Sequence, residues 1–205
     1  MRLVQYWSRF FSFVLYRQGY SKSTYMFWKS LQVQLGLARK LFRVGKPLSH
    51  IKVAAGAAHN QTSDPVIRLT TIGRQLGMAG YLSLDSLVWL NNSSVYKFNG
   101  PRATKIQRIS SQFWLIALLF GIAQGAYKYS QAANVEEALL KETEKDTASL
   151  KRAALEKYDA GLHLVWDLAD TTIPLSALGY IKFDDGLVGL AGLFTSILAL
   201  KGLWN

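Results

Sequence analysis

The sequence predicts an all-α integral membrane protein: N-terminal amphipathic interfacial helices followed by about two to four membrane-embedded helices. Three stretches carry that expectation. Residues 28–52 wind into an apolar arc and a cationic arc with no acid between them. Residues 109–127 contain no charged side chain, and neither do residues 186–200.

The composition agrees. Half of the 205 residues are hydrophobic although 24 are Lys or Arg. The charge is uneven: residues 1–112 hold 16 basic residues against two acids, a net +14, whereas residues 113–205 carry −3. A basic front half implies a polyanionic partner, either nucleic acid or an anionic membrane. Long uncharged apolar runs favour the membrane, so no nucleic-acid partner is expected. The absence of cysteine excludes disulfides, thiolate metal sites and a cysteine nucleophile.

Residues 1–18 place Leu3, Tyr6, Trp7, Phe10, Phe13 and Val14 at helical spacing. Met1 opens straight into that pattern, so the start of this helix is expected to be missing. Gly19, Ser21 and Ser23 form a break, and a second helix runs into the amphipathic stretch. On that stretch Leu31, Leu35, Leu37, Leu41, Phe42, Val44 and Leu48 form the arc expected to insert into lipid. Lys29, Arg39, Lys40, Arg43 and Lys46 form the arc expected to meet anionic headgroups. A helix on a soluble bundle usually mixes Glu with Lys on its polar face, and this one has no Glu. Gly45-Lys46-Pro47 marks a stop and restart, which splits the stripe into two pieces.

Asp64-Pro65 reads as a turn or a helix start. The following apolar helix carries Gly77 and Gly80 for close packing and Asp85 as its one charge between Arg74 and Lys97. Residues 109–127 span about 28 Å as a helix, close to bilayer thickness. Arg108 and Lys128 bracket them, with Trp114 and Tyr127 as interface anchors. Residues 131–159 are rich in Ala, Glu, Lys and Leu and read as a solvated helix joining membrane parts, held by pairs such as Glu137–Lys141. Residues 186–200 form either a span or half of a hairpin with 162–181. Gly186, Gly189 and Gly192 repeat at i+3, a row expected to admit a second copy of the chain. The expected organisation is thus a basic remodelling region (1–108), a membrane helix (109–129), a charged linker (130–160) and C-terminal membrane-embedded helices (161–205).

No catalytic constellation stands out, and neither a metal site nor a cofactor is expected. His163, Asp167 and Asp170 share a helix face, which is metal-like spacing, but one His and two Asp without further ligands make a weak site. Residues 73–80 lack the Lys-Ser/Thr ending of a phosphate loop. The chain is expected not to be an enzyme.

LQVQLGLARKLFRVGKPLSHI (residues 31–51) resembles the signature stretch of the peroxisomal biogenesis factor 11 family. So do Ile173-Pro174-Leu175 through Gly179, and then residues 185–193 and 195–198, which are similar to its C-terminal signature. Residues 2–6 resemble the end of its first conserved block. The likeness spans nearly the whole chain except 131–159. It implies a peroxisomal membrane protein that elongates and curves the membrane by amphipathic-helix insertion and self-association, promoting proliferation and fission. It further implies a dynamin-related fission GTPase with its membrane adaptor, and a peroxisomal membrane-protein import receptor, as partners. The alternative is a channel for small metabolites through the same membrane, lined by Gln124, His163, Asp167 and Asp170.

Overall fold

A computed structural model describes residues 1–60, 62, 64–141 and 146–204, the last four as helix backbone alone. Among these residues it contains seven helices and no strand: α1 (Arg2–Arg17), α2 (Lys22–Leu41), α3 (Lys46–His59), α4 (Pro65–Asn92), α5 (Gly100–Lys141), α6 (Thr147–Leu178) and α7 (Asp185–Trp204).

Local chemistry sets the boundaries. Gly19, at φ +76°, turns α1 into α2. The amphipathic stretch breaks at residues 42–45, where Arg43 and Val44 donate to the carbonyls of Lys40 and Leu41 in tight turns. Pro47 then occupies the first turn of α3, where its missing N–H costs nothing. Asp64 caps α4 by accepting from the N–H groups of Val66 (2.8 Å) and Ile67 (3.2 Å). Gly179, at φ +73°, ends α6 and lets the chain return as α7.

Helix adjacency closes on itself. α1 packs on α2, α2 on α4, α4 on α5, α5 on α6, α6 on α7, and α7 on α1, while α3 lies against α4. Two close approaches need glycine. A Cβ on Gly77 would sit 3.0 Å from the Ala117 backbone of α5, and one on Gly189 would sit 2.9 Å from the Phe10 backbone of α1.

Polar and charged side chains share the buried interior with small apolar ones, while many large apolar side chains lie outside. Ser8, Thr195 and Ser110 are among the most deeply buried side chains, and Asp85, Asp167 and Asp170 are buried too. Meanwhile Phe27, Phe42, Leu48, Leu69, Leu119 and Ile197 are exposed. Buried carboxylates and so many exposed large apolar side chains are unusual in a water-soluble bundle.

Three expectations change. α5 is 42 residues long, about 63 Å at 1.5 Å per residue, so the uncharged run is the middle of a helix that extends beyond it at both ends. It is also the one described helix long and apolar enough to cross a membrane by length and composition. Residues 131–159 are not one solvated helix: 131–141 end α5 and 147–159 begin α6, with Lys157 of α6 bonded to Glu136 of α5 at 2.8 Å. The part of that stretch at 142–145 lies outside the described residues. The expected Glu137–Lys141 pair does form, at 2.6 Å, on an exposed face. Finally, Trp114, expected as an interface anchor, is engaged within the bundle. It stacks on Tyr81 with ring centroids 5.0 Å apart, while Tyr127 donates to the Asp64 carboxylate.

Candidate functional site

The amphipathic stretch delivers its two faces to opposite places. On the outside, Leu41, Phe42, Val44 and Leu48 are exposed where α2 breaks into α3, Phe42 and Leu48 at 69% and 73%. Ile51 and Val53 continue this patch along α3. Leu31, Leu35 and Leu37, higher on α2, are half-buried. The break accounts for the difference, because it resets the helical phase and pushes the residues around it outward.

The cationic face turns inward. A cavity of about 380 Å³ inside the ring is lined by Arg2, Arg9, Arg39, Lys40, Arg43 and Lys46, with Asp85 and Asp170 as its acids. Lys40 bonds the buried carboxylate of Asp85. Arg2 of α1 bonds Asp170 of α6 and, at 2.8 Å, the hydroxyl of Thr195 on α7. Arg9 bonds Asp185 at 2.6 Å. Arg39 donates to the Gln5 side-chain carbonyl, and Arg43 lies 3.4 Å from the Tyr81 hydroxyl. His50 Nδ1 is 2.5 Å from Gln75 Oε1 at the cavity wall.

The cations expected to bind lipid therefore fall into two groups. Lys29 and Lys46 are exposed, but Arg39, Lys40 and Arg43 point into the ring because the acid and amide partners lie there. The glycine row is corrected as well. A Cβ on Gly186 or Gly192 would collide with the rings of Phe13 or Tyr6, so Gly186, Gly189 and Gly192 seat α1 of the same chain. They present no bare surface to a second copy. The suggested pore lining is redistributed. Asp167 forms a two-pronged pair with Arg74 of α4 (2.5 and 2.9 Å), Gln124 donates to Thr71, and His163 is exposed beside Trp166. Only Asp170 of those four reaches the cavity. Among the described residues no cluster of three or more His, Asp or Glu side chains could hold a metal.

Sequence reasoning missed the inward turn of the cations. The available signal was Asp85, the one acid between Arg74 and Lys97, which needed a basic partner inside a helical bundle.

Buried ion pairs inside the ring and large apolar side chains exposed outside it are the two features that set this bundle apart. Across residues 1–204 the chain matches the family profile of peroxisomal biogenesis factor 11 (PEX11), and it belongs to that family. It is 32% identical to peroxisomal membrane protein PMP27 of Saccharomyces cerevisiae, over all of this chain and 87% of that one. It is 28% identical to peroxisomal biogenesis factor 11 of Schizosaccharomyces pombe, over 99% of this chain and 87% of the relative. Identity to human peroxisomal membrane protein 11B is 24%, over 98% and 90% of the two chains. No solved structure matches it.

Proposed function

We propose that this peroxisomal membrane protein curves and elongates the membrane that holds it, promoting peroxisome proliferation and fission. The observation that carries the reading is the outward cluster of Leu41, Phe42, Val44 and Leu48 at one break in the chain. Each such side chain taken into the acyl boundary contributes about 1.5–3 kcal/mol. The exposed Lys29 and Lys46 can add about 1 kcal/mol each on an anionic leaflet. A wedge in one leaflet expands that leaflet and favours positive curvature. The remainder of the apolar surface holds the wedge in place, and self-association of many copies concentrates it. A dynamin-related GTPase recruited by its adaptor then severs the neck. Reconstitution tests this: the purified chain, placed in vesicles containing anionic lipid, should draw them into tubules. Vesicles that stay spherical at high surface coverage would rule it out.

The cavity favours a second reading, a pathway for small solutes. Conductance across planar bilayers that changes in Asp170→Asn but not in Phe42→Glu would support it.

A further inference from the structure

The cavity holds more positive charge than the chain neutralises. Asp85, Asp170 and Asp185 account for Lys40, Arg2 and Arg9. Arg39, Arg43 and Lys46 have no acidic partner among the described residues. Arg39 and Arg43 sit one turn apart, so their guanidiniums repel each other across a space partly withdrawn from water. The Nε of Arg2 is buried with no hydrogen-bond partner. Unpaired charge inside a lipid-facing bundle is costly unless a counter-charge accompanies it.

The geometry points to a binding site in this cavity for a small, multiply charged phosphate-type oxyanion. Three observations converge. The volume of about 380 Å³ lies within the range of small-molecule sites. The guanidiniums of Arg39 and Arg43 present planar N–H forks suited to phosphate oxygens. A neutral donor, the Tyr81 hydroxyl, lies on the same wall and can complete an oxyanion's coordination. A carboxylate-lined cavity would repel such a ligand; here the two lining carboxylates are already engaged by Lys40 and Arg2. The phosphate can be that of a soluble molecule or of a lipid headgroup entering between helices. The site requires neither membrane bending nor passage of solute.

Calorimetric titration of the full chain in uncharged detergent tests the inference. One arm uses sodium pyrophosphate and the other a short-chain phosphatidylinositol phosphate. Saturable binding in the first arm identifies a soluble ligand, and binding in the second alone identifies a headgroup. In either case Arg39→Gln with Arg43→Gln should weaken it about 100-fold, roughly tenfold per guanidinium. Lys52→Gln with Lys105→Gln, on the outer surface, should leave it unchanged. If the arginine double variant unfolds, Lys46→Gln at the exposed rim serves instead, with a loss of about fivefold to tenfold. No saturable binding in either arm, or binding that survives these substitutions in folded protein, overturns the inference.

Discussion

Replacing Phe42 and Leu48 together by glutamate isolates the outward turn from the rest of the molecule. Both side chains are about seven-tenths exposed, so the substitution removes little packing inside the protein. In lipid the loss is larger. Two apolar side chains withdrawn from the acyl boundary forfeit about 3–6 kcal/mol together, and two new negative charges against an anionic leaflet add roughly 1 kcal/mol each. Local insertion of the turn should fall by at least ~10²-fold. The rest of the apolar exterior still holds the chain in the bilayer, so flotation with vesicles should persist while tubule formation is lost. Electron microscopy of vesicles at matched surface density reads the effect, and circular dichroism confirms retained helix. Leu140→Glu with Leu155→Glu provides the control, because these residues are just over half exposed at the tip joining α5 to α6. Tubulation that survives at the turn, or that fails equally in the control, would refute the assignment of curvature to residues 41–48.

Three further outcomes follow from the packing. Gly189→Leu drives a side chain into the Phe10 backbone and should destabilise α1 against α7 by about 1–3 kcal/mol, lowering Tm in detergent by several degrees while leaving chemical cross-linking between copies unchanged. The hydroxyl of Tyr127, then the N–H groups of Ile67 and Val66, hold the Asp64 carboxyl below the usual carboxylate range. Its contribution is therefore complete above that range and is lost as pH falls through the lower folded value. A carbon-13 NMR titration of Asp64 should give a midpoint below about 3.9, and Tyr127→Phe should move it upward. Arg2→Gln strands the buried Asp170 carboxylate and should cost about 3–5 kcal/mol in detergent unfolding, most of it recovered when Asp170→Asn is added.

The helices were legible because their punctuation is chemical. Asp64-Pro65 and Gly45-Lys46-Pro47 each mark a boundary that forms. Less legible was where one long helix absorbs two readings. The charge-rich residues 131–141 continue α5 because Ala, Glu, Lys and Leu favour helix wherever they lie, so a change of polarity did not mark a change of element. The two faces of residues 28–52 were also legible, but not which face points inward. An amphipathic period is the same whether the apolar side meets a core or a lipid. Likewise the glycine row announced a close helix contact correctly and left its partner open. That partner is α1, more than 170 residues away in sequence, as the Gly189–Phe10 contact shows.

The charge asymmetry acquires a different meaning from these contacts. A +14 front half with two acids looks like a surface waiting for an external polyanion. Part of that polyanion is the chain itself. Lys40 is matched by Asp85, Arg74 by Asp167, Arg2 by Asp170 and Arg9 by Asp185, and three of these four carboxylates come from the acidic later half. Such pairs fix α1 and α4 to α6 and α7 across the ring, and where the carboxylate is buried, as at Asp167 and Asp170, leaving either partner alone is expensive. Oppositely charged halves therefore act as a registration device that helps to specify which helices become neighbours. Within the cavity, what the pairs leave over is the unmatched charge of Arg39, Arg43 and Lys46, which lies next to the break where Leu41 and Phe42 emerge. On the two proposals made above, the stretch from 39 to 48 would face an interior anion site on one side and lipid on the other. A ligand that drew the two guanidiniums together would act on the same turn that carries the wedge.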